Sequence, residues 1–163
     1  MSALDFPTRN WRGILAEDPP WAASDWPDLL AMAESMLATR RKRFPDWIRE
    51  KRITRKEAED ELATFEALAG HWCWVVTGTG EPGHLSTLIA RQDALDSSLD
   101  TIAQIAGDRG GFTAELALQA QHVIALRWHA ELDRELALIR NIRLTREIRA
   151  KAANAAEPRR SAA

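Results

Sequence analysis

A single cysteine, Cys73, is the only thiol in this chain of 163 residues. No disulfide can close within it, and a reducing compartment is the expected setting. No run of 18 apolar residues exists, which leaves no candidate for a membrane-spanning helix and no membrane partner. The opening MSALDFPTRNWRG lacks the basic start and apolar middle of a secretory signal, so a cytoplasmic location is expected. Metal-ligand pairs are also wanting. His71-x-Cys73 has no second cysteine to join it, and His84, His122 and His129 are scattered, whereas a structural zinc needs four ligands, commonly in two close pairs. Ser86 and Ser98 lack the surroundings of a nucleophile elbow. No catalytic residue, metal or cofactor is expected, and the chain reads as non-enzymatic.

What is present is a globular composition, 45% apolar and 28% charged, with charge sorted along the chain. Residues 1–39 carry a net −4, residues 40–56 a net +7, residues 57–139 a net −10 and residues 140–163 a net +5, in a chain of net −2. Local charge of this kind bears on partners rather than on fold. The first basic segment holds Arg40, Arg41, Lys42, Arg43, Arg49, Lys51, Arg52, Arg55 and Lys56 against only Asp46 and Glu50. Such residues could neutralise phosphates, with Trp47 stacking on a base. They could equally complement a helix C-terminus or pair with acids of the same chain. The second segment holds Arg140, Arg143, Arg146 and Arg149, one every third residue, and forms a second candidate contact surface.

Hydrophobic periodicity is helical almost throughout. Residues 1–26 are irregular, with Pro7, Pro19 and Pro20 but also Phe6, Trp11, Trp21 and Trp26. They read as an ordered Trp/Pro-rich N-terminal arm that lays indoles on a helical body. A first helix is expected from about Pro27 to Arg43, capped by Ser24 or Asp25 and ended by Pro45, with a short helical turn over 45–50 to follow. A second begins at the capping box Thr54-x-x-Glu57. It runs along a seam of Ala58, Leu62, Phe65, Ala69, Trp72 and Val76 and stops at Gly78. The acids Glu57, Glu59, Asp60 and Glu61 suit its N-terminus.

A third helix spans about Leu85 to Ala106, with Gln92 as the polar exception on its apolar face. A fourth starts after Thr113 and continues unbroken past Ile142, with Ala125, Trp128, Leu132, Leu136, Ile139 and Ile142 on one face. The tail EPRRSAA is expected to fray. The fold class is therefore all-α: an antiparallel bundle of about four helices with a long C-terminal helix, forming one domain over 27–155.

Gly78-Thr79-Gly80-Glu81-Pro82-Gly83 fits the spacing of a dinucleotide-binding loop after the strand-like Trp72–Val76. Its context does not fit. No second parallel strand follows the next helix, and Pro82 removes an amide donor, so the segment reads as a glycine-rich helix connection.

The stretch Arg40-x-x-x-Phe44-Pro45-x-Trp47-Ile48, then Lys51-Arg52-Ile53-Thr54, Ala58-Glu59 and Trp72, resembles a helical-hairpin segment of small uncharacterised bacteriophage and prophage proteins. The resemblance covers about residues 40–74, with Lys51 where those proteins usually have glycine. It implies a helical hairpin and a phage context, and no activity. The expectation is an interaction protein that binds a protein or nucleoprotein complex of host or phage, for instance an inhibitor of a host defence system such as an anti-CRISPR. The alternative is a nucleic-acid-binding protein using residues 40–56. A homodimer through the long C-terminal helix is a further expected partnership.

Overall fold

The structure, a computed structural model, describes residues 6–161, with side chains to residue 156. It is built mainly of helices: α1 (Trp26–Arg49), α2 (Arg55–Thr77), α3 (Leu88–Asp108), α4 (Ala114–His129) and α5 (Leu132–Ser161). Among the described residues there are thus five α-helices where about four were expected. Two short strands, β1 (Thr8–Trp11) and β2 (Ile14–Glu17), precede them. No described helix is long and apolar enough to cross a membrane. The chain divides into two compact units, Met1–Glu131 and Leu132–Ala163, where the sequence suggested one helical domain over 27–155.

In the first unit α1 packs on α2, α2 on α3, α3 on α4 and α4 on α1. Phe65, Trp72, Leu95, Leu99 and Ile124 are almost completely buried, while Leu62 of the expected seam is only half-buried. Thr54 and Thr113 cap α2 and α4 as their sequences indicate, each hydroxyl accepting a backbone N–H at 3.1 Å. Gly78 ends α2 in the left-handed conformation at φ 79°. Asp25 stands at the start of α1 without a side-chain cap bond.

Three expectations about individual elements are corrected. The N-terminal arm is not irregular over residues 8–17. β1 and β2 pair antiparallel through the two-residue turn Arg12-Gly13, with φ at 54° and 91°. Two positive φ values match the twist of a tight hairpin, and Asn10 Oδ1 accepts the Gly13 N–H at 2.6 Å. Within the arm Trp11 is buried, whereas Phe6 and Trp21 are exposed; residues 1–5 lie outside the description.

Pro45 does not end α1, which continues through it to Arg49. The ring costs one backbone hydrogen bond, but Phe44 beside it is 2% exposed and sits 5.6 Å from the Trp47 ring. This packing holds the helical path.

The fourth helix is not continuous, because the chain breaks between α4 and α5 at Ala130–Glu131. No glycine or proline marks the place. Gln92 of α3 donates to the Ala130 carbonyl at 2.6 Å, and Arg127 is held by Asp96 and Glu131 at 3.0 and 2.9 Å. The polar exception on α3 therefore caps a neighbouring helix. Trp72–Val76 lies within α2, as the helical seam indicates.

The second unit is α5. Glu147 pairs with Lys151 at 3.4 Å along it. Ile139 and Ile142 are buried, but Leu132 and Leu136, placed on the same apolar face by the sequence, are exposed. The helical backbone continues through the tail to Ser161, and Ala162 and Ala163 lie outside the described residues.

Candidate cationic corner between α1 and α2

α1 closes through paired backbone bonds. Arg52 N–H donates to Trp47 O at 2.9 Å and Lys51 N–H to Ile48 O at 3.1 Å. This is the Schellman pattern, which needs a left-handed residue at its last step. That residue is Lys51, at φ 59°. α3 ends in the same pattern, Gly111 N–H to Ala106 O at 2.8 Å, with Gly110 in the left-handed place at φ 78°. The chain thus uses glycine at one such end and a lysine at the other.

Between the two helices Ile48, Lys51, Arg52, Ile53, Arg55 and Glu57 line a cleft of about 390 Å3. Ile48 and Ile53 are half-buried, and the charged residues around them are exposed. The cleft therefore has apolar walls and a cationic rim.

The nine basic residues of this segment separate into two groups. Arg40 lies 3.3 Å from Glu61, and its guanidinium stacks 3.7 Å from the Phe65 ring centre. It also donates to Met36 O at 3.0 Å and to Ser98 Oγ at 3.3 Å. Burial, chiefly, lowers its pKa, Glu61 works against this, and neighbouring Arg43 adds to the lowering. Arg41 pairs with Glu66 at 3.3 Å, Arg52 with Glu50 at 3.7 Å, Lys56 with Asp60 at 3.3 Å and Arg49 with Asp46. The side chains of Lys42, Arg43, Lys51 and Arg55 make no hydrogen bond or ion pair with any described residue. One face of Trp47 is already covered, since the Arg52 guanidinium lies 4.6 Å over its ring, which removes much of the platform a stacked base would use.

On α5, Arg140 is exposed and has no described partner, whereas Arg143 and Arg146 are both engaged. The stripe read from the sequence is thus not uniform. Because α5 forms its own compact unit, Arg140, Arg143 and Arg146 remain a separate candidate surface.

The other sequence motifs have structural employment. His71 is 2% exposed, and its Nδ1 accepts the Gly83 N–H at 2.9 Å. Burial first, then Arg91 and His129, lowers its pKa to about 3. The imidazole is neutral near pH 7, and the Gly83 amide is not free for a phosphate. A Cβ at Gly83 would crowd the Arg91 guanidinium, standing 3.0 Å from its carbon. His129 Nε2 lies 2.6 Å from Ala23 O and His122 lies 6.2 Å from Trp21. Among the described residues no three His, Cys, Asp or Glu side chains gather as metal ligands.

One feature the sequence did not announce is a groove of about 460 Å3 beside α1 and α3, whose lining includes Ser35, Thr39, Arg43, Ser97 and Thr101. Its only advance signal was the four-residue spacing of hydroxyls in two distant segments. Comparison with protein-family models, with curated proteins and with solved structures gives no match to this chain.

Proposed function

We propose that the chain is a non-enzymatic interaction protein of phage or prophage type, which binds a host or phage macromolecular complex through the α1–α2 corner. The observation that carries this reading is the cleft lined by Ile48 and Ile53 and rimmed by Lys51 and Arg55, cations with no described partner. Unpaired charge around an apolar cleft complements a partner surface with acidic residues beside an apolar side chain, and such complementarity governs encounter and specificity. The phage context rests on the resemblance of residues 40–74. Its concrete form is inhibition of a host defence complex such as a CRISPR–Cas effector.

The test expresses the chain in bacteria with an active CRISPR–Cas system and measures plating of a targeted phage. The expected result is restored plating with the natural chain and none with Lys42→Glu/Lys51→Glu/Arg55→Glu, at equal helical content. No restoration by the natural chain overturns the inhibitor reading. Restoration by the triple variant overturns the corner as its surface.

The same unpaired cations support direct nucleic-acid binding as the second reading. If Lys42, Arg43, Lys51 and Arg55 are the phosphate contacts, log K against log salt should fall with a slope no steeper than about −3.6 for duplex DNA. A titration of duplex and single-stranded DNA at two salt concentrations measures it, and undetectable binding at low salt rejects this reading.

A further inference from the structure

The groove beside α1 and α3 has the features of a small-molecule site separate from the corner cleft. Ser35, Thr39, Arg43 and Trp47 follow one another at four-residue steps on α1, and Ser97, Thr101 and Ile105 do so on α3; all of them line the groove. Four-residue spacing keeps side chains on one helix face, so each helix offers a short hydroxyl-bearing ladder. Apolar Met36, Phe44 and Ile102 also line the groove, and each is at least nine-tenths buried.

The hydroxyls of Ser35, Thr39 and Ser97 make no hydrogen bond with any described residue. That of Thr101 donates to Ser97 O at 3.1 Å and can still accept. The volume of about 460 Å3 falls in the range of roughly 300–1,000 Å3 that accommodates small organic ligands.

Charge narrows the class. The ionisable lining groups are Arg40, Arg43 and Glu61, a net charge of +1. Arg40 is occupied by Glu61, Met36 O, Ser98 and the Phe65 ring. Arg43 has no described partner, and it lies close enough to Arg40 to oppose its charge. The groove therefore carries one positive charge with no described protein partner, on exposed Arg43 beside the half-buried Trp47 ring, and this favours an anionic ligand.

We infer that this groove binds a small organic monoanion with an apolar body, its acidic head on Arg43 and the adjoining hydroxyls and its body on Met36, Phe44 and Ile102. This goes beyond the proposed function and does not depend on it, since the phage-plating test changes Lys42, Lys51 and Arg55 and leaves every lining residue in place.

The probe is 8-anilinonaphthalene-1-sulfonate, a fluorescent monoanion with an apolar body, titrated into the full chain. Uncharged N-phenyl-1-naphthylamine is the matched neutral probe. Saturable binding of the anion is expected, with decanoate as a competitor. Arg43→Gln should weaken the anion about tenfold or more, the size of a lost charge-assisted contact, and leave the neutral probe within about twofold. Thr101→Trp, which fills the groove, should remove both probes; Ser97→Trp serves the same purpose if the first variant does not keep its helical circular dichroism. Absence of saturable anion binding overturns the inference, as does equal binding by Arg43→Gln. Binding that survives a groove-filling tryptophan overturns the location, and preference for the neutral probe overturns the ligand class.

Discussion

At its C-terminal end α2 buries His71, Trp72, Trp74 and Val75, whereas at its N-terminal end Arg55, Lys56 and Glu57 are all exposed. The buried end is a packed aromatic cluster: the Trp72 ring meets His71 at 5.7 Å and His129 at 5.0 Å, edge to face. The exposed end is held by a threonine cap, surface ion pairs and a left-handed lysine. Exposed ion pairs contribute only about 0–1 kcal/mol each, while loss of a buried aromatic side chain costs several times that. One helix thus joins a region that sets stability to a region whose chemistry is free to serve a partner.

The strongest test of that division lies in the core. Phe65→Ala should destabilise the chain by about 3–5 kcal/mol, because Phe65 is 0% exposed and also carries the Arg40 guanidinium on its ring. Urea unfolding measures it, and an unchanged midpoint would show that stability is not concentrated there.

The next effect is a pH dependence from the buried end. The folded-state pKa of His71 lies at about 3, below the ordinary value of 6.5. Its stabilising contribution is present above pH 6.5 and is lost progressively as pH falls toward 3, because the unfolded chain takes up the proton first. Between pH 7 and pH 5 this amounts to about 2 kcal/mol. Unfolding free energies at the two pH values should differ by that amount in the natural chain and much less in His71→Gln. Equal slopes in the two proteins would contradict the assignment.

A smaller effect, of opposite sign, belongs to the exposed end. Lys51→Gly should stabilise the chain by about 0.5–1 kcal/mol, since glycine carries no left-handed penalty. Gly110→Ala should destabilise by about 1 kcal/mol in the same pattern at the end of α3. If both variants shift the melting temperature in the same direction, the two helix ends are not equivalent after all. Smallest of all, Lys42→Glu/Lys51→Glu/Arg55→Glu should move stability by less than about 1 kcal/mol, as read by the same urea titration. A larger loss would mean that the corner is structural.

The features that could be read from the sequence are those governed by neighbouring residues. Thr54, Thr113 and Gly78 act locally and do what their residue types suggest. The helix through Pro45 was hidden because a local rule yields there to the burial of Phe44. The break after His129 was hidden because the side chain that caps it, Gln92, lies 38 residues away. The hairpin was hidden because Arg12-Gly13 replaces the usual Asn-Gly. For the cationic corner, residue types were legible but pairing was not. Nothing short of the fold separates Arg41, matched to Glu66, from Arg43, matched to none. The groove was least visible, since its two hydroxyl ladders lie on different helices far apart in the chain.

The short connection Glu50–Thr54 also bears on the order in which the molecule assembles. It leaves only five residues between α1 and α2, whereas Arg12 and Asp100, joined by two bonds at 2.9 and 2.7 Å, are 88 residues apart. Closing the longer loop in an otherwise flexible chain costs about 2.5 kcal/mol more entropy than closing the shorter one. The α1–α2 hairpin is therefore the cheaper nucleus, and the expected order latches the β-hairpin to α3 after the rate-limiting step. In kinetic terms, Asp100→Asn should speed unfolding and leave refolding almost unchanged, making the N-terminal hairpin a lock on the folded state rather than a guide toward it.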